Sequence, residues 1–221
     1  MKAAFLSILA TGCAVGTAMA APGLSQPTSV VELFTSQGCS SCPKANRFVV
    51  DLDTDFPDVL TLSYGVTYWD YLGWKDTFGH ADFTARQRQY DQVMESGMYT
   101  PMMVVGGQTH APRLKRGHVL GASVPPTIEL MARDGELCLG GELPDGAKLA
   151  LVNYVPGVQS VPVKKGENRG RKLELANVVT GIGYAVWSGQ PQCGLRPEQG
   201  LAVLAHHPAS SEIIGLARFE P

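Results

Sequence analysis

Val30-Val31-Glu32-Leu33-Phe34-Thr35-Ser36-Gln37-Gly38-Cys39-Ser40-Ser41-Cys42-Pro43 runs from an apolar, β-rich segment through a polar turn into two cysteines separated by two residues. Val30 to Thr35 reads as a buried strand, ended by the turn Ser36-Gln37-Gly38. A helix is expected from about Ser40 to Asp51, with Ser40 or Ser41 able to cap it and Pro43 tolerated in its first turn. Ala45, Phe48, Val49 and Leu52 recur at helical spacing and should face the core. Two thiols at a strand-to-helix junction have the layout of a dithiol–disulfide redox centre. The bland alternatives are a structural disulfide or half of a metal site.

Downstream, Val59 to Val66 reads as a second strand, laid beside the first by a right-handed crossover. Tyr68-Trp69-Asp70-Tyr71-Leu72-Gly73-Trp74-Lys75-Asp76 is an aromatic loop, and Ala81 to Glu95 a polar helix. Tyr99-Thr100-Pro101 introduces a third strand, Met102 to Val105. Gly106-Gly107 suits a two-residue hairpin turn into a fourth strand near Gln108–Pro112. A short helix is expected around Gly117–Val124. After Pro126 the chain turns to short alternating segments: Thr127–Met131, Leu137–Leu139, Lys148–Tyr154, Val158–Val163, Lys172–Val179, Gly183–Trp187, Leu201–His206 and Ile213–Phe219. Asp134-Gly135, Asp145-Gly146 and Pro156-Gly157 separate several of them, which predicts a sandwich-like β domain over 127–221. The basic run Lys164–Lys172 is expected to be a solvated loop, with anion binding as its sharper alternative.

The first twenty residues read as a secretory leader. Met1-Lys2 is basic, Ala3 to Val15 is apolar, and Ala18-Met19-Ala20 is a small-x-small cleavage site. A rival reading takes Ala10-Thr11-Gly12-Cys13 as a lipoprotein processing site. Cleavage after Ala20 would leave 21–126 and 127–221 as two domains in the periplasm or outside the cell. It removes Lys2 and no acid, so the formal net charge moves from −2 to −3. A mildly acidic chain without a basic patch points away from nucleic acid. No remaining apolar stretch is long enough to span a membrane. The sequence carries no indication of oligomeric state.

Five cysteines are present, and four lie beyond the leader. Cys39 and Cys42 pair locally, which leaves Cys138 and Cys193 for each other in an oxidising compartment; two buried free thiols are the alternative. A resident metal is not expected. His80, His110, His118, His206 and His207 show no zinc-type spacing, and the metal alternative is Cu(I) held by Cys39 and Cys42. No cofactor is called for.

The order strand, CxxC helix, strand, helix, Thr-Pro, strand, hairpin, strand, helix resembles a thioredoxin fold. In that resemblance Pro101, after Thr100, matches the cis-proline that faces the CxxC. Cys39, ahead of the helix, would be the attacking thiolate, because free backbone N–H groups and the helix dipole favour negative charge there. Cys42 would resolve the mixed disulfide. Glu32 is the candidate for the buried acid that manages the resolving thiol's proton, although it stands one residue further from the cysteines than the pattern asks; a strand carboxylate in a salt bridge is the alternative.

Three segments are similar to one particular family. They are Val31–Pro43, Tyr68–Asp76, and Arg86-Gln87 with Tyr99-Thr100-Pro101; Gly166–Arg171 and Asn177-Val178-Val179 extend the likeness. The family comprises exported bacterial proteins, with relatives in plants, known as domain of unknown function 1223. It tends to carry Gln after the Thr-Pro and Asn-Gly at the hairpin, where this chain has Met102 and Gly106-Gly107. The resemblance implies a thioredoxin-like domain and no established activity. Trp69, Tyr71 and Trp74 are expected either to line a substrate groove with Thr100 or to form the seam between the two domains. The function expected is exchange with a thiol or disulfide substrate, protein or small molecule. The rivals are a non-enzymatic, redox-regulated binding or assembly module and a copper-handling protein.

Overall fold

A computed structural model describes residues 23–221. The expected leader, with Cys13, lies outside them. Two strands, β1 (Leu24–Ser25) and β2 (Ser29–Thr35), precede helix α1 (Cys42–Asp55) and strand β3 (Val59–Gly65). A single 3₁₀ turn (Asp70–Leu72), helix α2 (Ala81–Met94), β4 (Met102–Val105), β5 (Thr109–Ala111) and helix α3 (Arg116–Leu120) follow. The remainder is strand: β6 (Ile128–Arg133), β7 (Glu136–Gly141), β8 (Lys148–Pro162), β9 (Lys172–Val186), β10 (Gln192–Leu195), β11 (Gly200–His206) and β12 (Ile213–Phe219). Strands dominate, and among the described residues no helix is long and apolar enough to cross a membrane.

Nine strands form one mixed sheet in the order β1-β12-β11-β8-β9-β3-β2-β4-β5. β2 and β3 run parallel, from Ser29↔Val59 to Thr35↔Gly65, with α1 as the crossover. β4 joins β2 antiparallel, and the Gly106-Gly107 turn returns the chain into β5. Both glycines sit at positive φ, 57° and 70°, as a type I′ turn requires. A Cβ on Gly107 would strike the Ser211 carbonyl, so the close approach of the 206–213 turn also demands glycine there.

Alternation along β2 divides the core. Val31 and Leu33 face α1, where Ala45, Val49 and Leu52 bury against them. Val30 and Phe34 face the other way, into a cluster with Leu60, Leu62, Tyr64, Phe83 and Tyr90. Met102, which stands where the similar family tends to carry Gln, is fully buried in that cluster. The same cluster continues through Ala150, Val152, Tyr154, Val179, Ala202 and Leu204. Apolar packing thus runs without a break from the first segment into the second.

The second segment departs from the sandwich expected for it. Four of its seven strands, β8, β9, β11 and β12, lie in the large sheet with β2–β5. The other three form a small sheet, β10-β7-β6, whose Ile128, Leu130, Leu137 and Leu139 pack on Leu149, Leu201, Val203 and Ala217. Pro156-Gly157 does not end a strand. β8 and β9 each run 15 residues, with register shifts at Asn153/Tyr154 and between Val155 and Val158. A bulge is where a sheet tolerates Pro and Gly. Asn177, at φ 47°, accepts the Gly157 N–H at 2.8 Å and so satisfies a donor left over at the bulge.

Candidate functional site

Cys39 and Cys42 are joined as a disulfide at the start of α1, Cα atoms 5.4 Å apart. The Cys39 N–H donates to Ser36 O (3.1 Å) and the Cys42 N–H to Cys39 O (3.2 Å), so the CxxC forms a closed turn. Neither Ser40 nor Ser41 caps the helix by side chain, and Ser41 itself has helical backbone angles. The Ser41 hydroxyl instead lies 3.3 Å from Cys39 Sγ and 3.5 Å from Thr100 O. The Thr100–Pro101 bond is cis, at the entry to β4 and beside the CxxC turn.

Two loops grip this turn. The aromatic loop holds it from one side. Asp76, buried, accepts the Gln37 N–H at 2.7 Å and the Phe78 N–H at 2.9 Å. Burial raises the Asp76 carboxyl above its usual range, against these two donors. Trp74 Nε1 donates to Gln37 Oε1 (2.8 Å), and Gln37 Nε2 donates to Thr77 Oγ1 (2.8 Å). Trp69 Nε1 donates to Thr100 Oγ1 at 2.7 Å.

The 163–171 loop, between β8 and β9, holds the turn from the other side. Asn168, fully buried, donates through Nδ2 to Gln37 O (3.0 Å) and to Cys39 O (2.7 Å). Arg171 Nη1 fixes Asn168 Oδ1 at 2.9 Å. Glu167 Oε2 accepts the Ser40 N–H at 3.1 Å. Gly166, at φ 75°, turns the loop tip over Trp74. This overturns the expectation of a purely solvated loop: its centre is a clasp on the CxxC. The result is a covered disulfide, with Cys39 1 % and Cys42 0 % exposed.

The three aromatic candidates have different fates. Trp74 packs beside Val163, Leu173, Leu175 and Val178, on the seam with the second segment. Trp69 is part-buried against the main core. Tyr71 stacks on Trp69 and is 78 % exposed. Only Tyr71 presents a broad apolar face to solvent near the cystine.

Glu32 is not brought to the thiols. It lies on the sheet face opposite α1, where Arg86 Nε and Nη2 hold its carboxylate at 2.6 and 2.9 Å. Tyr90 Oη donates to it as well. Burial acts to raise the Glu32 carboxyl, but the charge of Arg86 and the bonds from Arg86 and Tyr90 prevail and hold it below the usual carboxylate range. Glu32 is thus the strand carboxylate in a salt bridge, with Arg86 as its partner. Arg86 Nη2 also lies 3.3 Å from His206 Nε2. A guanidinium only donates, so His206 accepts there and carries its proton on Nδ1, which donates to Ser211 O at 2.8 Å.

Cys138 and Cys193 are joined across β7 and β10 of the small sheet, 55 residues apart in sequence. They lie away from the CxxC turn and staple the small sheet. Among the described residues no group of three or more His, Cys, Asp or Glu converges on a point that could hold a metal. Among the described residues, no His, Asp, Glu or further Cys joins Cys39 and Cys42 in such a group.

No curated protein is similar enough in sequence to match the chain. Two solved structures are similar to it. The crystal structure of protein AGR_C_4864 from Agrobacterium tumefaciens is 27 % identical, with a TM-score of 0.69 over 89 % of this chain and 95 % of that one. HBP35 of Porphyromonas gingivalis has a TM-score of 0.59 at 12 % identity, over 88 % of this chain and 75 % of that one, a likeness of fold alone. The family model described as protein of unknown function (DUF1223) matches residues 30–203, a span that takes in the CxxC turn, both loops that grip it and β2 through most of β11, and the chain belongs to that family.

Proposed function

We propose that this is an exported thiol–disulfide exchange protein that works through Cys39 and Cys42. The observation that carries the reading is a disulfide at the N-terminus of α1, with the neighbouring Ser40 N–H met by a loop carboxylate. With Glu167 withdrawn, that donor and the helix dipole are available to a Cys39 thiolate. The β2-α1-β3 unit, with Thr100-Pro101 against the CxxC turn, supports reading residues 21–126 as thioredoxin-like and 127–221 as a β-rich partner. Two disulfides suit an oxidising compartment.

In the reducing direction the Cys39 thiolate attacks a substrate disulfide, forming Cys39–S–S–R and releasing the other substrate sulfur, which takes up a proton. Cys42 loses its proton and attacks Cys39 Sγ. The second substrate thiol leaves and the cystine remains, two electrons having passed to the substrate. The reverse sequence oxidises a substrate dithiol. Thr100 and Pro101 flank the CxxC turn where a substrate would approach, and Tyr71 offers an exposed aromatic face. Glu32, on the far side of the sheet, has no direct part.

A disulfide-exchange assay on the purified protein tests this. Cys39→Ala should abolish turnover, and Cys42→Ala should accumulate a mixed disulfide at Cys39. Undiminished exchange by Cys39→Ala rules the mechanism out.

A second reading is favoured by one observation, the near-complete burial of Cys39. In it the cystine is a fixed or switching bridge within a non-enzymatic binding or assembly module. A cystine that resists glutathione and thioredoxin-type reductants while the fold is intact would select this reading.

A further inference from the structure

A concave site lies on the face of the sheet opposite α1 and the CxxC turn. A cavity of about 560 Å³ opens between α2 and the ends of β8, β9 and β11, within the size range of small-molecule pockets. Its floor is the buried Arg86, Tyr90 and His206. That floor carries no free charge at neutral pH. Arg86 is neutralised by Glu32 beneath it, and His206 presents a lone pair to Arg86 with its proton turned to Ser211.

The walls have a different character. Seven large hydrophobic side chains are exposed among the described residues, and three of them, Val93, Tyr184 and Val186, line this one cavity. Tyr184 and Val186 are two residues apart on β9 and so share a face. Lys148 is the cross-strand partner of Val186 and lines the same cavity. It makes no ion pair among the described residues, and no Asp or Glu lines the cavity. Gln89 and Gln92 add amide donors from α2. An apolar slot with one uncompensated cation at its rim, amide donors and no acid is complementary to an amphipathic anion.

We propose that the cleft between α2 and the β8–β9 strands binds a small carboxylate with an aliphatic or aryl body, its charge against Lys148 and its apolar part between Val93, Tyr184 and Val186. The buried floor of Arg86, Tyr90 and His206, held from beneath by Glu32, gives the slot a polar base. Ligand carboxylate oxygens have Lys148 Nζ and the Gln89 and Gln92 amides as donors. The site stands apart from the cystine and does not depend on the redox reading.

Octanoate, octanol and octylammonium, matched in chain length, test the claim by calorimetric titration and thermal shift on the full mature protein. Octanoate should bind about tenfold tighter than octanol, and octylammonium more weakly than either. Lys148→Ala should cost octanoate about tenfold and leave octanol unchanged, Lys148→Arg should retain binding, and Lys148→Glu should invert the preference toward octylammonium. Tyr184→Ala should weaken all three probes. These side chains are exposed, so the variants should fold. Equal affinity for the anion and the cation, or absence of binding at millimolar octanoate, overturns the proposal. So does a concentration-dependent dimer that Tyr184→Glu dissociates, which would make the slot a self-association face.

Discussion

The CxxC turn and the α2 cleft lie on opposite faces of one sheet and treat their polar groups in opposite ways. At the turn, sulfur is covered: Asn168, Glu167 and Asp76 take up the backbone donors and acceptors around Cys39, and almost none of its surface meets solvent. At the cleft, charge is buried in the floor and neutralised there, while apolar side chains stand exposed around it. The contrast separates two uses of burial. One region covers a disulfide, and the other sets a paired, buried charge under an open surface.

The largest expected effect belongs to the cleft floor. Arg86→Ala leaves the Glu32 carboxylate buried and unpaired, which should cost about 3–5 kcal/mol of stability. The double variant Glu32→Gln, Arg86→Met should recover much of it. Chemical denaturation measures both. A loss under about 1 kcal/mol for Arg86→Ala would mean that the floor is wetter than its burial indicates.

Acid should reach the floor next. Burial, then the nearby Arg86 charge, pushes the His206 pKa down from 6.5 to about 4. The unfolded chain therefore binds a proton between those values that the folded one refuses, so stability should fall as pH drops from about 6.5 toward 4, by about 3 kcal/mol. Glu32, whose pKa is lowered, adds a further loss only below its unfolded value of 4.5. His206→Gln should flatten the first window and spare the second. An unchanged pH profile in that variant would assign the acid sensitivity elsewhere.

The smallest effect on stability, and the sharpest test of the covered turn, is Asn168→Ala. Loss of its two bonds to Gln37 O and Cys39 O should cost about 1–3 kcal/mol. Reduction of the Cys39–Cys42 cystine by a bulky thiol should become faster at the same time. Equal reduction rates in the variant and the parent would mean that the 163–171 loop does not limit access, and the contrast between the two regions would narrow.

What the chain discloses before folding follows the range of the interactions. β2, α1 and β3 are legible because apolar alternation, the 3.6-residue recurrence of Ala45, Val49 and Leu52, and Pro43 in the first turn are local signals. Parity along β2 could also have placed Glu32 on the Phe34 face, away from the cysteines. The clasp was hidden because Asn168 lies 129 residues from Cys39 within a basic run, where a single uncharged amide looks solvated. β8 and β9 read as fragments because Pro156-Gly157 and the glycines near Gly181 are local breakers. Only pairing along the whole ribbon, with Asn177 repairing the bulge, overrides them. β1 and β10, of two and four residues, carry too little pattern to be seen.

The β8–β9 ribbon joins the two regions. Its root, at Lys148↔Val186, walls the cleft, and its tip, beyond Pro162↔Lys172, bears on the cystine. A ligand at the root and reduction at the tip, both as proposed above, would be linked through this ribbon. Thermodynamic reciprocity fixes their relation: whatever factor a cleft ligand applies to the cystine's reduction equilibrium, reduction applies to that ligand's affinity.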